Sequence, residues 1–339
     1  MTRRRWSSPV SVSALAVSLL AVAVLAGCGG APGGAGGAGS DSGGAKGAAA
    51  DTDDFAIDQD FPDPDVLRTG DGYLAFATNG AGFNVQVARS TDLESWEVEA
   101  VDALPKLPEW ALPGKTWAPD VAESASGGFV MYFTAATKTP GAQCIGVATS
   151  DAPEGPFVAA GTAPIVCPED EGGAIDASTF VDDDGTRYLV WKNDGNCCGL
   201  DTWLQIAPLS GDGVALAGEP TKLLMQTEDW EGNLIEAPTL VKRDGVYVLL
   251  YSANDYGGDA YATGYAAAPS VLGPYTKADG PLLTTGLSDG RYLGPGGQDV
   301  VTAPDGTDRL VFHSWDSLYI QRGVNVVPLR WDDGIPSLG

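Results

Sequence analysis

Histidine is all but absent from this chain: His313 is the single one in 339 residues. An imidazole-rich metal site is excluded by that, and the cysteine spacing fits no familiar zinc pattern. Positive charge is scarce too, with 19 Lys and Arg against 45 Asp and Glu and a formal net charge of −26. No basic patch exists, which disfavours nucleic acid and other anionic polymers as partners and leaves neutral ones. Helical periodicity is also rare. Short alternating and aromatic-rich runs take its place along the chain, the pattern of an all-β protein.

What is present begins with a targeting segment. Arg3, Arg4 and Arg5 form a positive n-region, residues 13–25 are apolar, and Leu25-Ala26-Gly27-Cys28 resembles a bacterial lipobox. Residues 1–28 therefore read as a lipoprotein signal peptide with Cys28 as the lipidated residue. The apolar stretch is short for a spanning helix, so the protein is expected outside the cell, on the membrane through a lipid anchor only. Loss of the three arginines would make the mature chain more negative still. Residues 29–50 are nearly all Gly, Ala and Ser and read as a flexible tether. Residues 51–339 then suit one large β domain, expected to be monomeric. Four further cysteines, Cys144, Cys167, Cys197 and Cys198, make disulfides plausible in an exported chain. Their connectivity is open, and Cys197 and Cys198 are as able to pair with each other as with the rest.

Three acidic motifs each open a run of β-type residues: Phe61-Pro62-Asp63-Pro64-Asp65, Ile175-Asp176-Ala177-Ser178 and Ile235-Glu236-Ala237-Pro238. An aromatic strand follows each within about a dozen residues, after a Gly-containing turn. A second repeat lies between them. Val87 to Trp96, Val147 to Phe157 and Tyr265 to Tyr275 each run from a strand of small residues through a polar turn to an aromatic. Inner strands placed near Asp65, Ala118, Ala177, Ala237 and Asp299 recur at roughly sixty residues, somewhat longer than the usual propeller repeat. Five units of four strands predict a five-bladed β-propeller. Residues at the starts of its inner strands face one central cavity, which would bring the three acids together. Convergent carboxylates are what glycoside hydrolysis uses, one as acid and one as base.

At these residues the chain resembles glycoside hydrolase family 43, over nearly all of 55–337. The markers are Asp63-Pro64, Trp117-Ala118-Pro119-Asp120, Ile175-Asp176-Ala177-Ser178, Glu236-Ala237-Pro238, Leu272-Gly273-Pro274-Tyr275, Gly294-Pro295-Gly296 and Trp331-Asp332-Asp333-Gly334. The resemblance implies a five-bladed propeller that hydrolyses arabinose- or xylose-containing glycans with inversion. Residue by residue it makes Asp63 the general base, Glu236 the general acid and Asp176 the carboxylate that tunes and holds the acid. A neighbouring anion such as Asp176 would keep Glu236 protonated by like-charge repulsion, and inversion would need the two carboxyls roughly 6.5–9.5 Å apart. Arg322 matches an arginine that binds hydroxyls of the sugar. Trp117 and Trp191 are candidates to offer flat faces to a sugar ring. The family usually carries a histidine after its Gly-Pro-Gly turn, in contact with a central ion. Here that position is Gly297; Gln298 next to it is a further candidate to bind the substrate and can fill the place, so no cofactor is expected to be required and an axial calcium is not counted on. His313 reads as a packed or rim residue.

The activity expected from these features is release of terminal α-L-arabinofuranose from a neutral pentose-containing oligo- or polysaccharide, by an exo-acting enzyme. β-Xylosidase and endo-arabinanase activity are alternatives within the family. A cell-surface glycan-binding lipoprotein without catalysis is the alternative outside it, and would not need all three acids. Action on fructose polymers by a covalent nucleophile would need a closer pair of acids.

Overall fold

A computed structural model describes residues 54–139 and 141–339. The signal segment, Cys28 and the tether of the sequence reading lie outside the described residues. Five four-stranded antiparallel sheets follow one another along the chain, each an up-and-down meander. Their inner strands are Asp65–Thr69, Ala111–Glu123, Ala174–Val181, Ile235–Arg243 and Leu293–Thr302. Each packs on the inner strand of the next blade and the fifth returns to the first, so the chain is a five-bladed β-propeller. All five expected inner strands are there.

The strand alternation explains why the blades stack. Each second strand turns one set of side chains to the preceding blade and the other set to the following one. Leu74 and Phe76 pack with Met131 and Phe133 of the second blade, whereas Tyr73, Ala75 and Ala77 pack with Val311 and Val324 of the fifth. Five apolar clusters of this kind fill the five junctions. The aromatics singled out in the repeat open or immediately precede the outer strands: Trp96 begins Trp96–Glu99, and Phe157 and Tyr275 precede Val158–Ala159 and Thr276–Lys277.

Closure of the ring is local. The segment ahead of the first blade lies along the third strand of the fifth, Arg322–Asp332: Ala56 N–H donates to Val324 O at 2.8 Å and Phe61 N–H to Arg322 O at 3.0 Å. Cys144 and Cys167 form a disulfide, while Cys197 and Cys198 are free thiols on the 3₁₀ turn Gly195–Cys198. No helix among the described residues is long and apolar enough to cross a membrane.

Candidate active site

One local device, used five times, aims residues at the axis. Asp63, Ala118, Asp176, Ala237 and Gly297 have φ between 38° and 58°. Four of them sit where the pairing of the inner strand with the second strand slips, at Trp117/Asp120, Val190/Lys192, Glu236/Thr239 and Gly296/Asp299, and Asp63 lies just ahead of its strand Asp65–Thr69. Such a bulge turns a side chain out of the regular alternation, and left-handed backbone at a non-glycine residue costs about 1–2 kcal/mol. Asp63 and Asp176 therefore occupy the same position in blades one and three. Glu236 does not share it. It precedes the left-handed residue of blade four, equivalent to Trp117 in blade two and Ile175 in blade three. The expected register of three matched acids is corrected to two plus one.

This arrangement opens a cavity of about 370 Å³, lined by Asp63, Asp176 and Glu236 together with Trp117, Lys192 and Arg322 among others. Asp63 receives the Thr78 hydroxyl on Oδ2 at 2.6 Å. Its own N–H donates to Nδ1 of His313 at 3.0 Å. Glu236 accepts the Tyr261 hydroxyl on Oε1 at 2.9 Å and the Lys192 ammonium on Oε2 at 3.2 Å. Asp176 accepts the Ala237 N–H on Oδ2 at 2.9 Å, next to Glu236 in the chain. Burial, then the charge of Glu236, push Asp176 up to about 8. The Asp176–Glu236 couple therefore keeps a proton at neutral pH, a property of the pair rather than of one member. Burial holds His313 down to about 3, so its imidazole is neutral and its Nδ1 is free to accept.

Of the residues expected to meet sugar, Trp117 and Arg322 line the cavity. The Arg322 guanidinium lies over the rings of Tyr256 and Trp315, 5.0 and 5.6 Å from their centroids. Trp191 does not belong there. It is 1% exposed and packs with Tyr132 and Ile145 at the junction with blade two. Alternation sends its neighbour Lys192 into the cavity instead. Gln298 is also corrected. It is 4% exposed, its amide donates to Ala237 O at 2.6 Å and accepts from Ser252 Oγ at 2.8 Å, and it ties blades four and five together. Lys192, Tyr261 and His313 had no part in the expected site. Lys192 and Tyr261 look like ordinary strand residues in the sequence, and only the lone histidine near a glycine that replaces one gave a signal.

The histidine of this chain reaches Gly297 from the neighbouring strand, Asp308–Trp315. His313 covers that glycine, and its Nδ1 is already engaged by Asp63. Below it, Asp65, Asp120 and Asp299 line a small axial cavity of about 50 Å³. Each spends a carboxyl oxygen on a backbone N–H of the adjoining blade, at 2.9, 2.9 and 2.8 Å. Among the described residues no group of three or more His, Cys, Asp or Glu side chains is arranged to hold a metal ion.

Carboxylates brought from three blades into one sugar-sized cavity, with an arginine and a tryptophan beside them, define a glycoside hydrolase. Residues 56–336 match the family model of the glycosyl hydrolases family 43, and the chain belongs to that family. A crystal structure of a thermostable family-43 glycoside hydrolase superposes with a TM-score of 0.74 at 31% identity, covering 83% of this chain and 93% of that one. A β-D-galactofuranosidase of Aspergillus niger is 26% identical over 75% of this chain and 73% of its own length. An extracellular endo-α-(1→5)-L-arabinanase of Bacillus subtilis is 26% identical over 81% of this chain and 86% of its own.

Proposed function

We propose that this glycosidase is an inverting, exo-acting α-L-arabinofuranosidase that removes terminal arabinofuranose from arabinan or arabinoxylan. The observation that carries the reading is the convergence of Asp63, Asp176, Glu236 and Arg322 on one cavity. Its volume, about 370 Å³, is at the small end for ligand sites and favours a terminal sugar over a long stretch of polymer. A furanose ring is favoured by the two curated relatives, whose names give a galactofuranoside and an arabinan as substrates.

In this reading Asp63 takes a proton from a water that attacks the anomeric carbon. Glu236 gives a proton to the departing oxygen, and the bond to that oxygen breaks with inversion. Asp176 supports the acid from the preceding blade, and Arg322 binds sugar hydroxyls. Trp117 offers its ring to the sugar. The protein acts outside the cell, held to the membrane through lipid on Cys28.

The test is hydrolysis of 4-nitrophenyl α-L-arabinofuranoside, the matching β-D-xylopyranoside and linear arabinan by the lipid-free domain and by its Glu236→Gln form. Release from the arabinoside with arabinose as the first product from arabinan supports the reading. Oligosaccharides as first products would make the enzyme an endo-arabinanase, and preference for the xyloside a β-xylosidase. No hydrolysis of any would favour a glycan-binding lipoprotein. Labelling with a fatty acid that is lost in Cys28→Ser tests the anchor.

A further inference from the structure

Opposite the residue that precedes each left-handed position stand five equivalent side chains: Thr134, Lys192, Ser252 and His313 on second strands, and Thr78 just past the end of Gly72–Ala77. Four of them accept the N–H of the left-handed residue of the following blade. Ala118 donates to Thr78 Oγ1 at 2.9 Å, Asp176 to Thr134 Oγ1 at 3.2 Å, Gly297 to Ser252 Oγ at 2.9 Å and Asp63 to His313 Nδ1 at 3.0 Å. Lys192 breaks the series, because an ammonium has three donors and no acceptor. The N–H it leaves, that of Ala237, goes to Asp176 Oδ2 across the junction between the blades.

The Lys192 side chain is fully buried, and burying an ammonium is expensive unless it is paired. It pairs into the cavity: Asn196 Oδ1 lies at 2.7 Å, Glu236 Oε2 at 3.2 Å and Asp194 Oδ1 at 3.8 Å. A threonine or serine would complete the hydrogen-bond pattern of the fold, as three other blades do. Packing alone therefore does not call for lysine at this place.

We propose that Lys192 is a positioning residue for the acid: it locks Oε2 of Glu236 as an acceptor, leaves Oε1 to carry the transferred proton, and by vacating the Ala237 N–H brings Asp176 against the strand of the acid. This rests on the reading of Glu236 as the acid. The chemistry follows from donor counting. Lys192 can only donate to Oε2, whichever form the glutamate takes. The Tyr261 hydroxyl beside Oε1 can donate or accept, so Oε1 holds or releases a proton without orphaning its neighbour.

Lys192 is also the counter-charge of the cavity. Asp63, Asp176, Asp194, Glu236 and Asp255 face it there with Tyr256, Tyr261 and Cys197, and Arg322 is the other cation. Without the ammonium the carboxyls lose a favourable neighbour, and protons leave the Asp176–Glu236 couple at higher pH.

The test compares Lys192→Met, Lys192→Arg and Lys192→Thr with the wild type. Two readouts are the pH profile of kcat/KM on the released glycoside and the 13C carboxyl titration of the Asp176–Glu236 couple. In Lys192→Met the alkaline limb and the titration should move up by about one pH unit. Its kcat should fall roughly 10²-fold, as for a misplaced reacting group, with KM little changed. Lys192→Arg should restore the limb. Lys192→Thr should fold at least as stably as the wild type, since it regains an acceptor for Ala237, yet show the defect of Lys192→Met. Wild-type limb and titration in both neutral variants, with only amplitude or Tm reduced, would overturn the proposal. If the wild type hydrolyses no glycoside, the functional reading fails separately, and the titration alone decides whether Lys192 governs the couple.

Discussion

The imidazole of His313 occupies the space that a side chain on residue 297 would need: a Cβ on Gly297 would stand 2.6 Å from its Nδ1 and Cε1. The same Cβ would meet Asp63 Oδ1 at 2.9 Å. Backbone conformation is not what requires glycine here. Ala118 and Ala237 hold the same left-handed geometry in other blades, with φ of 38° and 49°. The ring requires it. Gly297→Ala should push His313 off the Asp63 N–H and with it the carboxylate, lowering kcat/KM by tenfold or more, about 1.4 kcal/mol. Unchanged kinetics would mean that the ring can shift without carrying Asp63 along.

Removal of either reacting carboxyl should cut turnover by orders of magnitude while leaving the propeller intact. Asp63→Asn is the informative change at the base, because asparagine tolerates φ of 57° where most residues do not. Glu236→Gln keeps an amide oxygen for Lys192 or Tyr261. Each should lose roughly 10²–10⁴-fold in kcat, with a Tm within a few degrees of wild type. A folded Asp63→Asn with near-normal kcat would remove Asp63 from the mechanism.

Much of this was written in the sequence, for physical reasons. The propeller was legible because turns and aromatics recur with the blade, and the three acids because each opens a strand. What failed was parity. A strand alternates every residue, so an error of one exchanges the core for the cavity. Trp191 was expected to face sugar, but the pairing of its strand slips between Val190 and Lys192, and Lys192 is the one in the cavity. Glu236 was aligned one residue off its structural partners for the same reason. His313 ends the apolar run Leu310-Val311-Phe312 and was read as a packed or rim residue; of the two it is the packed one. Its partner, an amide 250 residues away, is set by the closure of the ring and leaves no local trace.

The two tryptophans offer a direct contrast. Trp117 is half-buried at the cavity wall, so Trp117→Ala should raise KM for the terminal sugar with little loss of stability. Trp191→Ala should do the reverse, destabilising the fold by about 3–5 kcal/mol as a large buried aromatic is lost. Steady-state kinetics with thermal melts of both variants check this. A KM effect for Trp191→Ala at full stability would return that residue to the binding site.

Stability should fall, not rise, as the pH goes up through the weakly acidic range. Burial raises Asp120 to about 6 and Asp299 to about 7, and burial together with the charges of Asp120 and Asp299 lifts Asp65 well above its ordinary 3.8. A carboxyl with a higher pKa folded than unfolded binds more protons in the folded state. Unfolding free energy then declines with pH between the two values. The contribution from these groups is complete below about pH 4 and is lost as the pH rises through 6 to 7. Asp120 is the one to change. Its Oδ1 accepts the Thr179 N–H at 2.9 Å, while its buried Oδ2 has no partner. Asp120→Asn keeps the acceptor and removes the charge, so it should melt higher than wild type at pH 7.5 and flatten the slope of Tm between pH 4.5 and 7.5. An identical slope in the variant would show that the axial aspartates are not its source.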